Sequence, residues 1–166
     1  MSLKAELGMR KNFDFPAHEC ILGLYYTASR LRKQAGEGFR NFNLTEVQFN
    51  VLTLLKHQTG ESGGLTQVEL SRMMLVNRAN ITTLIDRMEK AGLVMRKPVP
   101  DDRRYNIIQL TTHGKEMYSK VAGIYHSKIA EIMDVLDEDD QNTLISMLSR
   151  IRSNLSLVKA GELLED

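Results

Sequence analysis

The sequence predicts a mainly α fold carrying one small β-hairpin: a winged helix-turn-helix set between longer N- and C-terminal helices. Three observations predict it. Thr45 and Thr66 each open an apolar-periodic segment with the Thr-x-x-Gln/Glu pattern of a capping box. A second periodic segment, starting at Asn77, follows the one opened by Thr66 after a turn of about three residues, the spacing of a helix-turn-helix. An alternating run then begins at a charged bend, Asp101-Asp102-Arg103-Arg104, and ends in a further helix start at Thr111-Thr112.

Pro16 fits the first position of a helix, where its missing N–H costs nothing. Ile21, Leu24/Tyr25, Ala28, Leu31 and Ala35 then recur at helical period, and Gly36-Glu37-Gly38 is expected to weaken or end the helix. Next, Thr45 caps, Gln48 reciprocates, and Leu44 is placed to staple onto Phe49, giving a helix to about His57. Thr59 to Gly64 reads as a flexible break. Leu65-Thr66-Gln67-Val68-Glu69-Leu70 repeats the device and predicts a short helix to about Met74. Leu75-Val76-Asn77 is the turn, and Asn77 caps a helix that turns Ile81, Leu84, Ile85 and Met88 inward and closes at Ala91-Gly92, with Gly92 left-handed.

Leu93 to Lys97 is predicted as a strand, residues 98–103 as a turn, and Tyr105 to Leu110 as the returning strand. Thr111 or Thr112 caps a long helix bearing Met117, Val121, Ile124/Tyr125, Ile129, Ile132/Met133 and Leu136. Asp137 caps the last helix, whose first turn holds Glu138, Asp139 and Asp140, where the helix dipole favours negative charge. Its Leu144, Leu148, Ile151, Leu155 and Val158 recur in steps of four and three, a seam suited to another helix. The terminal helices carry more apolar stripe than one small head can cover, so a second copy of the chain is the expected partner. The organisation follows: residues 1–43 as an N-terminal dimerisation region, 44–111 as the winged helix-turn-helix, and 112–166 as a linker helix with a C-terminal dimerisation helix.

Composition narrows the function class. No apolar run approaches the roughly 20 residues of a membrane span, and the polar N-terminus lacks a signal peptide's apolar stretch, which predicts a cytoplasmic protein that does not engage membrane. The net charge of +1 is unevenly spread: residues 65–111 hold eight Lys/Arg against five Asp/Glu, whereas residues 112–166 hold six against ten. A basic middle that meets an anion, and an acidic tail that does not, is the reading this favours. The single cysteine, Cys20, excludes an internal disulfide and any multi-cysteine metal site. His18, His57, His113 and His126 show no metal-ligand spacing, so neither metal nor cofactor is expected. No nucleophile motif or Gly-rich phosphate loop is recognisable, which argues against an enzyme and predicts no catalytic residue.

In order and spacing, the chain resembles the MarR family of winged-helix transcription regulators over residues 16–158. The resemblance rests on Leu65-Thr66-Gln67-Val68-Glu69-Leu70-Ser71, on Asp86-Arg87-Met88-Glu89-Lys90-Ala91-Gly92-Leu93-Val94, and on Asp102-x-Arg104 followed by Leu110-Thr111-x-x-Gly114. It implies a homodimer whose terminal helices interlock and whose two heads grip a pseudo-palindrome of double-stranded DNA. It also implies a repressor released by a small aromatic or anionic effector.

Asn77 to Ala91 is then the candidate recognition helix, with Asn77, Arg78, Asn80, Thr82 and Thr83 free to face a major groove. Asn pairs bidentately with adenine, Arg with guanine, and the Thr methyl meets thymine. The competing reading is a solvated face on an ordinary surface helix. The family places a wing arginine in the minor groove, which assigns Arg103 to DNA, and its D-x-R element assigns Asp102 and Arg104 to wing shape; the two arginines can exchange roles. Arg87 joins the DNA set, and Arg72, Arg96 and Lys97 stand open between phosphate contact and plain solvation. Some MarR relatives sense peroxides through a first-helix cysteine activated by tyrosines, which raises Cys20 with Tyr25, Tyr26, Tyr118 and Tyr125. A small buried hydrophobe is the simpler reading of that thiol. A winged helix that binds protein instead of DNA is the remaining alternative, and the basic wing argues against it.

Overall fold

The computed structural model describes residues 2–59, 63–75, 78–99 and 102–158; the side chains of Arg78, Val99 and residues 102–105 fall outside that description. In order, the elements are α1 (Leu3–Glu6), α2 (Pro16–Arg40), α3 (Glu46–His57), β1 (Leu65–Thr66), α4 (Gln67–Met74), α5 (Arg78–Lys90), β2 (Val94–Val99), β3 (Asp102–Leu110), α6 (Thr112–Met133) and α7 (Glu138–Leu155). The expected mainly α fold with a small wing is the one observed. The chain divides into two compact units, residues 1–119 and 120–166. No described helix is long and apolar enough to cross a membrane.

In the first unit, Pro16 starts α2 as expected, but α2 runs through Gly36 and Gly38 to Arg40. Each interior glycine costs a helix about 1 kcal/mol. The offset comes one residue later: Phe39 is buried, with its ring 5.0 Å from that of Phe49 on α3, and burying such a ring is worth about 2–3 kcal/mol. Thr45 and Gln48 form the predicted capping box on α3, and Leu44 and Phe49 are both buried. Phe49 stacks in turn on Tyr118 of α6, 5.8 Å away.

The sheet has three strands, not the two of a simple hairpin. β3 is central, with β1 on one side and β2 on the other. Leu65 pairs with Ile108 and Thr66 with Ile107, so the residues that staple and cap α4 also close the sheet. On the other side Val94 to Val99 pairs antiparallel with Leu110 to Asp102, with a register irregularity between Pro98 and Val99. The strands therefore extend further toward the tip than the predicted turn at residues 98–103 allows. Pro98 is tolerated because β2 is an edge strand, where an N–H facing outward is not missed.

At the other end of the wing, α5 closes in a full Schellman arrangement. The Leu93 N–H donates to the Met88 carbonyl and the Gly92 N–H to that of Glu89, both at 2.9 Å, with Gly92 at φ +69°. The Leu93 carbonyl then accepts the N–H of Thr111 at 3.2 Å. The Thr111 hydroxyl donates to the Gly92 carbonyl at 2.5 Å and accepts the Gly114 N–H at 2.9 Å, making Thr111 the cap of α6. A β-carbon on Gly114 would stand 1.9 Å from the Leu93 carbonyl oxygen.

In the second unit, Asp137 caps α7 as predicted, accepting the Asp140 N–H at 2.8 Å. Gln141 Nε2 donates to the Leu136 carbonyl at 3.0 Å across the turn between α6 and α7. The Leu93–Gly114 approach makes a sharp prediction. Gly114→Ala should destabilise the protein by upwards of about 3 kcal/mol, because backbone on both sides must move to admit the methyl group; urea unfolding of the two proteins measures it.

Candidate nucleic-acid interface

α4 is anchored by its own first turn. The Thr66 N–H and hydroxyl both donate to Glu69 Oε2, at 2.7 and 2.8 Å, and the hydroxyl accepts the Glu69 N–H at 3.2 Å. The bond from the Thr66 main chain, then that from its hydroxyl, holds the Glu69 carboxyl below its ordinary value; slight burial opposes this and Arg72 adds to it. α4 ends at Leu75, left-handed at φ 52° and almost fully exposed.

α5 is oriented by what it buries. Ile81, Ile85 and Met88 have no exposed surface and Leu84 is half-buried. At about 2 kcal/mol for each buried side chain, rolling the helix to hide its polar side would cost several kcal/mol. The opposite side therefore stays outside, and Asn80, Thr82, Thr83 and Arg87 are all exposed on it. The structure thus brings four of the sequence-predicted residues to one helix surface. Thr82 Oγ1 donates to Gln67 Oε1 on α4 at 3.1 Å, and Thr83 Oγ1 to the Ala79 carbonyl at 3.2 Å. Arg78 opens α5, but its side chain, like those of Asp102, Arg103 and Arg104, lies outside the described residues, as does all of Asn77.

Arg96 takes on a role that its sequence reading, open between phosphate contact and solvation, did not include: an ion pair with two carboxylates of α5. Its guanidinium bonds to Asp86 Oδ1 at 2.5 Å and to Glu89 Oε2, and its main-chain N–H donates to Glu89 Oε1 at 3.0 Å. Burial lowers the Arg96 pKa, but the two carboxylates outweigh it and the net shift is upward. The signal for this cluster was present in the sequence: two acids one helical turn apart, followed by an arginine two residues into the next strand. Arg72, Arg87, Lys90 and Lys97 remain exposed cations of this unit.

Cys20 is exposed on α2, which corrects the reading of it as a small buried hydrophobe. Tyr118, one of the tyrosines considered as its activator, is buried, and its hydroxyl sits 2.6 Å from His57 Nε2. Among the described residues no group of three or more His, Cys, Asp or Glu is placed to hold a metal ion.

Comparison with known proteins decides the family. The MarR family profile matches residues 44–105, from the start of α3 into the wing. The regulator YkoM of Bacillus subtilis, an HTH-type transcriptional regulator, is 32% identical over 148 residues, covering 86% of this chain and 92% of YkoM. The chain belongs to the MarR family. A MarR chain of this kind is also similar to the HTH-type transcriptional repressor YetL of B. subtilis, 28% identical over 89% of this chain and 87% of YetL. The crystal structure of AbsC, a MarR family transcriptional regulator from Streptomyces coelicolor, superposes with a TM-score of 0.77 at 25% identity, over 89% of this chain and all of AbsC. MarR proteins are DNA-binding transcriptional regulators and not enzymes, so this chain is read as a regulator.

The capping box gives this MarR head a pH signature. Because the folded state lowers the Glu69 pKa, its contribution is complete above the ordinary value of 4.5 and is lost as pH falls through the lower folded value. Glu69→Gln should therefore flatten the acid limb of the stability curve below pH 4.5. Thr66→Ala should cost about 1 kcal/mol at neutral pH. Equal acid limbs in wild type and Glu69→Gln, followed by circular dichroism in urea, would disprove the electrostatic part of this account.

Proposed function

We propose that two copies of this chain form a homodimer that reads a pseudo-palindromic DNA operator and acts as a repressor released by a small aromatic or anionic effector. Residues 44–111 form the reading head, while residues 1–43 and 112–166 serve dimerisation. The observation that carries the reading is the surface of α5. Its core face is sealed, and the face left outside presents Asn80, Thr82, Thr83 and Arg87, residue types that pair with base edges and phosphates. Asn77 and Arg78 are assigned to the same DNA contact. Arg103 is assigned to the minor groove, and Asp102 with Arg104 to the shape of the wing.

Dimerisation is supported by apolar side chains left uncovered on one chain. On α7 these include Leu144, Ile145, Met147, Ile151 and Leu155, the last 52% exposed. Apolar exposure repeated along one helix marks an interaction surface, and the four-and-three spacing of Leu144, Leu148, Ile151 and Leu155 suits a second helix. Two reading helices entering successive major grooves sit about 34–36 Å apart. An effector that prefers a different spacing lowers DNA affinity only through its differential binding to the two arrangements. A thiol-gated form of the same regulator has one observation in its favour, the exposure of Cys20.

DNA affinity should fall steeply with salt, and a flat response in a filter-binding series would sink the regulator reading. In the same assay Arg78→Ala should change sequence preference by about 1–3 kcal/mol at one position, whereas Arg103→Ala should weaken binding more uniformly or at A·T-rich flanks. Ile151→Glu with Leu155→Glu should convert the dimer to monomer in sedimentation; an unchanged mass would remove α7 from the interface.

A further inference from the structure

The helix that faces the polyanion carries its own negative charge. Asp86 and Glu89 stand one turn apart on α5, with side chains 50% and 39% exposed, and Arg96 of β2 is bonded to both. We propose that Arg96 is a positioning residue that masks these two carboxylates, so that it governs DNA affinity without touching DNA. The inference rests on the proposed function, and it deepens the account of the same interface.

Three features of the cluster carry it. First, the Arg96 side chain is only 23% exposed and each of its terminal nitrogens is bonded to a carboxylate, so turning the group toward a phosphate would break those ion pairs. Second, a planar guanidinium gives one N–H group to each of two carboxylates at fixed angles, which an ammonium cannot do. Third, Glu89 is held from two sides. One oxygen takes the guanidinium, and the other accepts the Arg96 main-chain N–H on the outer edge of β2. That second bond does not depend on the side chain at position 96. Replacing Arg96 therefore leaves Glu89 where it was, with Asp86 beside it on the same helix and no cation between them. At physiological salt the screening length is about 8 Å, so uncompensated carboxylates on the reading helix repel the phosphates on either side of the groove it enters.

A phosphate-contacting Arg96 and a masking Arg96 differ in one measurable respect: only the masking role can be replaced by neutralising the acids. The test uses the full-length protein and a mixed-sequence duplex of about 30 base pairs at low salt, with binding followed by fluorescence anisotropy. Arg96→Met should weaken binding by about tenfold. Adding Asp86→Asn and Glu89→Gln to it should bring affinity back to within about threefold of wild type. Asp86→Asn with Glu89→Gln alone should bind at least as tightly as wild type. Wild-type affinity in Arg96→Met, or a triple variant as weak as the single one, overturns the proposal. Where a thermal melt shows Arg96→Met unfolded at the assay temperature, the Asp86→Asn/Glu89→Gln protein decides, and weaker binding by it overturns the proposal. A wild-type protein that binds no duplex at all sinks the regulator reading itself, which is a separate result.

Discussion

The reading head depends on one close approach of backbone to backbone, that of Leu93 to Gly114. The end of α5, the bases of both wing strands and the first turn of α6 converge there with no side-chain volume between them. Gly92 supplies the left-handed residue that closes α5, and the Leu93 carbonyl accepts from Thr111. The Thr111 hydroxyl ties the Gly92 carbonyl to the Gly114 N–H. A close-packed junction of this kind is stiff, because no rotamer can relax to absorb a displacement. A shift of α6's first turn is therefore also a shift of the wing base and of the reading helix's last turn.

That mechanical unity has an electrostatic counterpart. In the proposed interface α5 enters a groove and needs an outer face free of uncompensated negative charge, yet its acids also fasten the neighbouring edge strand. The cluster of Asp86, Glu89 and Arg96 meets both needs at once. Glu89 caps an open N–H on the edge of β2, and the guanidinium balances the charge this introduces. Edge strands present unpaired donors that must be covered, and here the covering group comes from the reading helix. Wing and α5 are thereby tied at two points: by Arg96 within β2 and by the α5 C-terminus at the strand's base.

Local chemistry was legible, and contacts distant in sequence were not. Both capping boxes, the Gly92 closure, the Asp137 cap and the inward set Ile81, Ile85 and Met88 follow from residues within a turn or two of each other. The third strand escaped notice because Leu65-Thr66 is too short to show a period of two, and its partners lie some forty residues away in β3. The continuation of α2 past Gly36 and Gly38 depends on Phe39 finding Phe49, which propensity does not register. Arg96 was left among the open cations although Asp86 and Glu89 lie only ten and seven residues before it, because it is the packing of strand on helix, not a period, that brings them together.

By itself the sequence determined the order of helices and strands, the caps that start and stop most of them, and the face that α5 hides. Those follow from the 3.6- and two-residue periods and from hydrogen bonds three residues apart. Only the tertiary structure decided that the sheet has three strands, that position 114 admits nothing larger than glycine, and that Arg96 is committed to protein carboxylates. Each of these turns on how separate elements are set against one another. Excluded volume and charge neutralisation act through the distances between packed elements, which helix and strand periods do not specify.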